Sequence, residues 1–147
     1  MDIQKQQQLL NNFIEDTNER LDIIQRAFVN LSNREEELED SESLNEIFRA
    51  THSIKGCSQM VGIKSIRDVA YKLEDFARAF QKNTIEVPMQ VDYYLETRFI
   101  KVCQSLKEIL YSLAVPIDFN TDKAEPMVAK IGSVLQEIEC YLGILIL

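Results

Sequence analysis

A nearly unbroken helical spacing of apolar residues limits what this chain can fold into more than any other feature. Over residues 3–31 the inward positions alternate steps of four and three, which keeps them on one face of an α-helix. These positions are Leu10, Ile14, Thr17, Leu21, Ile24, Phe28 and Leu31. Only four glycines and three prolines occur among the 147 residues, so few positions can end a helix. The sequence therefore predicts an all-α protein.

Capping signals divide the first half of the chain into two predicted helices. The first spans about residues 3–31, and the acidic segment 34–40 is its solvated connector. Ser43 with Glu46 has the spacing of a capping box and opens the second helix, which ends near Gly62.

Three further helices are predicted in the second half. Ser65 with Asp68 opens the third helix, which stops at the Lys82–Asn83 turn. The fourth spans Pro88–Leu113, and the fifth spans Pro126–Tyr141.

The predicted helices form a single domain over residues 1–147. Short connections make consecutive helices antiparallel neighbours, which predicts an up-and-down four-helix bundle over about residues 3–113. The additional C-terminal helix, about residues 124–142, is expected to pack outside the bundle. Residues 143–147 are apolar but too few to span a membrane, which takes about 20 residues. Three origins stay open for them: the edge of a longer chain, the end of a helix, or an artificial addition.

Charge and cysteine content argue against several classes of protein. The net charge is −8, and this disfavours nucleic acid as the main partner. Cys57, Cys103 and Cys140 are odd in number and lack C-x-x-C spacing, so we expect free thiols in a reducing cytoplasm. Residues 2–8 are mostly polar and indicate no secretory signal, and we expect no membrane insertion. The predicted location is the cytoplasm.

Neither a metal nor a nucleotide site is expected. One histidine and dispersed cysteines offer no pair of ligands at metal-site spacing, which argues against a metal-dependent enzyme. The four glycines lie in separate segments and form no phosphate-binding loop. We therefore expect no cofactor and no independent catalysis.

The only histidine, His52, lies beside a lysine and a glycine on the second predicted helix. At about 100° per residue, His52 lies roughly 120° from the centre of the buried stripe, so its imidazole should reach solvent. Members of that stripe are Leu44, Ile47, Thr51, Ile54 and Ser58. Lys55, Gly56 and Gln59 lie on the same side as His52. Glycine in a helix interior costs about 1 kcal/mol relative to alanine, and close approach of a partner to the imidazole would explain Gly56.

This group of residues suits a histidine that accepts a phosphoryl group. An acceptor needs a neutral imidazole with one exposed nitrogen, and a hydrogen-bond acceptor for the other nitrogen. Glu74, on the returning third helix, is the candidate partner for the ring N–H. The chemistry also needs positive charge to offset the phosphoryl oxygens. Lys55 supplies that charge.

Two segments of the chain resemble the histidine phosphotransfer (HPt) domains at the N-terminus of CheA-type chemotaxis kinases. They are residues 48–62, F-R-A-T-H-S-I-K-G-C-S-Q-M-V-G, and the downstream residues 70–74, A-Y-K-L-E. The shared features are the H-x-x-K-G core, a second glycine that closes the helix, and the L-E pair. The similarity runs from about residue 5 to about residue 113. It implies that His52 is phosphorylated, that Lys55 lies near the phosphoryl group and that Glu74 orients the ring. Gln59 replaces a residue that is usually small, and Tyr71 replaces a second histidine of some members.

The resemblance also implies partners. A histidine kinase ATP-binding domain, expected in the same polypeptide, would supply the phosphoryl group, and an aspartate of a response-regulator receiver domain would take it. The residues predicted to dock these partners are Phe48, Arg49, Gly56, Gln59 and Tyr71, of which Phe48 and Tyr71 also suit core or rim packing. We interpret the chain as a phosphorelay carrier in a CheA-like or hybrid histidine kinase. The alternative is a helical adaptor that docks a signalling partner through the same face without phosphoryl chemistry.

Overall fold

A computed structural model describes residues 2–32, 37–81, 92–114 and 122–146, and within these ranges the chain is helical and contains no strand. The all-α prediction is confirmed. Four long helices are followed by a short helix, a 3₁₀ turn and a last helix. Their bounds are α1 Ile3–Ser32, α2 Glu37–Val61, α3 Lys64–Gln81, α4 Tyr93–Ser112, α5 Glu125–Val128, the 3₁₀ turn Ala129–Ile131 and α6 Gly132–Ile146.

The predicted apolar stripes form the core of a helical bundle. Helix α1 packs against α2 and α4, α2 packs against α3, and the C-terminal helices lie across α3 and α4. Phe28 of α1 stacks on Phe99 of α4 with ring centroids 3.9 Å apart, and Phe76 of α3 lies 6.1 Å from Phe99. Every member of the α1 stripe is buried except Ile14, which is half-buried. The direct packing of α2 against α3 makes these two helices neighbours.

The turn after α2 sets how α2 meets α3. Gly62 adopts a positive φ of 80°, which favours glycine because it has no Cβ. Its N–H donates to the carbonyl of Gln59 (3.2 Å), and the N–H of buried Ile63 donates to the carbonyl of Ser58 (2.8 Å). This is the Schellman arrangement, and it confirms that Gly62 closes the helix. Because α3 begins two residues later, it returns alongside α2.

The predicted start of α2 was wrong. The helix begins at Glu37, so Ser43 lies inside it and is buried rather than capping its first turn. Residues 37–40, predicted to belong to a connector, are helical as well. An N-cap side chain stabilises a helix by a few tenths to about 2 kcal/mol. This contribution is outweighed where packing against a neighbouring helix favours a longer helix.

The start of α3 is stabilised by a distant residue rather than by a local capping box. The helix begins at Lys64, and Ser65 donates from its N–H (2.9 Å) and its hydroxyl (3.0 Å) to the carboxylate of Asp122. Asp68, the predicted capping partner, pairs with Arg67 at 3.2 Å. The C-terminal segment therefore satisfies the backbone at the start of α3.

Asp92 joins α4 to the C-terminal helix. Its carboxylate accepts from the N–H of Leu95 (2.9 Å), which caps α4, and it also accepts a hydrogen bond from the Tyr141 hydroxyl. The start predicted at Pro88 and the turn predicted at Lys82–Asn83 lie outside the described residues. The predicted fifth helix is divided into α5, the 3₁₀ turn and α6. Since α6 continues to Ile146, the apolar residues 143–146 are helical.

Candidate functional site

His52 lies on the solvent side of α2, as its spacing predicts. The residue is exposed, whereas Ile47, Thr51, Ile54 and Ser58 on the opposite stripe are buried. The buried hydroxyl of Thr51 donates to the carbonyl of Ile47 (2.8 Å). This stripe anchors the helix and leaves the imidazole accessible from outside.

A shallow groove of about 380 Å³ surrounds the imidazole. His52 lines it with Phe48 and Arg49 from α2 and with Glu74 and Arg78 from α3. Glu74 is 5% exposed, so its carboxylate forms part of the groove wall while most of the side chain is covered. The structure thus brings together His52 and Glu74, as the sequence predicts.

The predicted hydrogen bond between His52 and Glu74 is not formed in this arrangement. One carboxylate oxygen of Glu74 accepts from Lys55 Nζ at 2.6 Å, and the other accepts from the Arg78 guanidinium at 2.5 Å. Two cationic donors therefore occupy the carboxylate, and such pairing offsets the cost of burying its charge.

Lys55 is not the solvated surface residue that its position on the helix suggests. Its side chain is 14% exposed, and Nζ lies 4.0 Å from the centre of the Tyr71 ring as well as 2.6 Å from Glu74. The lysine does not line the His52 groove. It ties α2 to α3 through Glu74 and Tyr71.

The other predicted docking residues leave an open surface beyond His52. Gly56 and Gln59 are exposed, and a Cβ placed on Gly56 would meet no atom within 4 Å. Close packing within the described structure therefore does not explain this glycine. Tyr71 is 50% exposed, and Phe48 is partly buried against the core.

Arg78 is a groove residue that the sequence interpretation missed. It lies four residues after Glu74 on α3, a spacing at which a glutamate and a cationic residue pair on one helix face. That spacing was the available signal. Arg78 and Arg49 both line the groove beside the exposed imidazole. Their two guanidinium groups provide a local positive charge that suits a phosphoryl group.

The described residues contain neither a group of metal ligands nor a membrane-spanning helix. His, Cys, Asp and Glu side chains in the described ranges form no group of three that could hold a metal ion. No helix in those ranges combines the length and apolar character that crossing a membrane requires.

Comparison with known proteins assigns the family. Residues 8–112 match the family described as Hpt domain. The chain belongs to the Hpt domain family. This Hpt domain is also 27% identical, over 81 residues, to the chemotaxis protein CheA of Borreliella burgdorferi (strain ATCC 35210 / DSM 4680 / CIP 102532 / B31). The match covers 55% of this chain and 9% of that protein, so the chain spans about a tenth of the length of this relative. No solved structure matched.

Family membership gives the general role. An Hpt domain is a histidine phosphotransfer carrier of two-component signalling, and such domains interact with kinases and response regulators. In this Hpt domain His52 is the only histidine, and it lies within the matched residues.

Proposed function

We propose that this domain carries a phosphoryl group on His52. In the first step, the lone pair of an imidazole nitrogen attacks the terminal phosphorus of ATP held by a kinase domain. An N–P bond forms, the P–O bond to ADP breaks, and the other ring nitrogen releases its proton to solvent. In the second step, a receiver aspartate oxygen attacks the phosphorus, the N–P bond breaks, and the imidazole takes up a proton again.

The exposure of the His52 imidazole in a cationic groove is the observation that carries this proposal. Nucleophilic attack needs an accessible nitrogen, and the ring is exposed on α2. Phosphoryl oxygens need nearby donors, and Arg49 and Arg78 line the same groove. Glu74 positions Arg78 through their 2.5 Å ion pair, and Lys55 in turn holds Glu74.

The partners follow from the proposed chemistry. The kinase domain binds ATP and Mg²⁺, since phosphoryl transfer depends on positioning and on charge neutralisation by metal ions. The similarity to the chemotaxis protein CheA supports a role in chemotaxis signalling. We propose that the histidine kinase ATP-binding domain belongs to the same polypeptide. A response-regulator receiver then takes the phosphoryl group in the cytoplasm, where ATP is available. Phe48, Arg49, Gly56, Gln59 and Tyr71 form the proposed docking face.

Labelling with ATP tests the proposal. The domain is incubated with a CheA-type ATP-binding domain and ATP labelled in its terminal phosphate, and the product is tested for an acid-labile, alkali-stable phosphate. We expect the wild type and an exposed-surface control, Lys101→Gln, to be labelled, and His52→Gln to remain unlabelled with an unchanged thermal melt. Full labelling of His52→Gln would refute the assignment. Partner binding by an unlabelled wild type would favour the adaptor alternative.

A further inference from the structure

A second groove lies beside the His52 groove, between α1 and α2. It has a volume of about 500 Å³ and contains three arginines, Arg20 and Arg26 from α1 and Arg49 from α2. Arg49 lines both grooves, so the arginine groove runs directly up to His52. This concentration of guanidinium groups contrasts with a chain whose net charge is −8.

The three guanidinium groups have no acidic partner among the described residues. Arg20 donates to the Ser53 hydroxyl (2.5 Å) and to the backbone carbonyl of Asp16 (3.1 Å), and both acceptors are uncharged. Arg26 and Arg49 are exposed. The remaining described arginines all form ion pairs with carboxylates: Arg67, Arg78 and Arg98.

A groove whose arginines have no carboxylate partner among the described residues suits a carboxylate-bearing surface. The planar fork of a guanidinium matches a carboxylate with two parallel hydrogen bonds. Mg²⁺ in proteins is bound through oxygen ligands, chiefly carboxylates. A receiver that presents an acceptor aspartate and binds Mg²⁺ therefore approaches His52 with an acidic surface, which the overall charge of this domain would repel.

We infer that the groove of Arg20, Arg26 and Arg49 docks the acidic rim of the receiver's acceptor site. This inference rests on the proposed function of His52. The three arginines provide a local positive charge on a domain whose net charge repels an acidic receiver, and they orient the receiver before transfer. Glu19 and Glu46 also line the groove, so they weaken attraction to the same partner and provide a test of opposite sign.

Transfer kinetics test the inference. Each protein is labelled beforehand at His52 with phosphoramidate, a small donor that needs no docking surface, and is mixed with a purified receiver domain that accepts the phosphoryl group from the wild type. The variants are Arg26→Gln, Arg26→Lys, Glu46→Gln, and a double variant that combines Arg26→Gln with Arg49→Gln. The matched control for Arg26→Gln is Arg67→Gln on α3, which makes the same change in net charge outside the groove.

We expect Arg26→Gln to lower kcat/KM for transfer at low salt, mainly through KM, and the double variant to lower it further, to about a tenth of the wild-type value. Arg26→Lys should retain part of the rate, Glu46→Gln should increase it, and Arg67→Gln should match the wild type. Added salt should slow the wild type more than the double variant. Thermal melts confirm that each variant is folded.

Two results separate failure of this inference from failure of the proposed function. If the wild type transfers its phosphoryl group and Arg26→Gln transfers equally fast at every salt concentration, the docking inference is wrong while the carrier role stands. If Arg67→Gln slows transfer as much as Arg26→Gln, net charge rather than the groove is responsible, and the inference is again wrong. A wild type that no kinase domain labels at His52 would instead refute the proposed function.

Discussion

Replacing Lys55 by alanine should destabilise this domain, although a helical projection alone makes Lys55 a surface residue. The ammonium group lies 2.6 Å from the carboxylate of Glu74 and 4.0 Å from the centre of the Tyr71 ring, and the lysine side chain is only 14% exposed. Removing it leaves Glu74, whose side chain is 7% exposed, with Arg78 as its remaining cationic partner. A buried charge that loses a partner is costly.

The size of the effect follows from these contacts. A hydrogen bond to a charged group contributes about 1.5–3 kcal/mol, and an ammonium over an aromatic ring adds about 0.5–1 kcal/mol. The retained pair with Arg78 and the higher helix propensity of alanine offset part of this loss. We expect a net loss of about 2–3 kcal/mol, which lowers Tm by about 5–10 °C in a chain of this length.

Thermal and urea unfolding, followed by far-ultraviolet circular dichroism, measure this loss. Lys101→Ala, at an exposed position of α4, is the matched control and should change stability by no more than about 0.5 kcal/mol. The double variant Lys55→Met with Glu74→Leu should regain most of the lost stability, because an apolar pair can replace a buried ion pair. If Lys55→Ala and Lys101→Ala melt at the same temperature, the Lys55–Glu74 pair does not stabilise the fold and the reasoning fails.

Three further outcomes are expected. Gly56→Leu should keep or raise Tm, because nothing lies within 4 Å of the new Cβ, yet block transfer to a receiver; normal transfer would contradict the need for close approach. Burial raises the pKa of the Cys103 thiol to about 12, so mass spectrometry after alkylation near neutral pH should find exposed Cys140 modified and Cys103 unmodified until the protein unfolds. The hydrogen bond to Asp92 raises the pKa of Tyr141. The stability that this bond adds to the folded state is therefore present below the ordinary tyrosine pKa of about 10 and is lost as pH rises through the raised pKa. The stability difference between wild type and Tyr141→Phe should therefore shrink in alkaline urea titrations, and a constant difference would show that the hydroxyl does not stabilise through this bond.

Features that depend on neighbouring residues in one helix could be predicted from the sequence. The buried stripe of α2 and the exposure of His52 both follow from a turn of about 100° per residue. The ending at Gly62 follows from the freedom of glycine to adopt a positive φ. The H-x-x-K-G pattern, together with Gly62 and the downstream L-E pair, suggested the family to which residues 8–112 belong.

Features that depend on two helices meeting were decided only by the tertiary structure. The pattern placed Lys55 and Glu74 on the correct helices, but it could not reveal that they pair with each other across the two helices. Likewise, Ser65 at the start of α3 bonds to Asp122, which lies 57 residues further along the chain, and not to Asp68, the predicted partner three residues away. Periodicity determines which face of a helix is buried, because that face is a property of the single helix. Which charged groups satisfy one another depends on distances across the bundle, and the bundle sets those distances only after the apolar faces have packed.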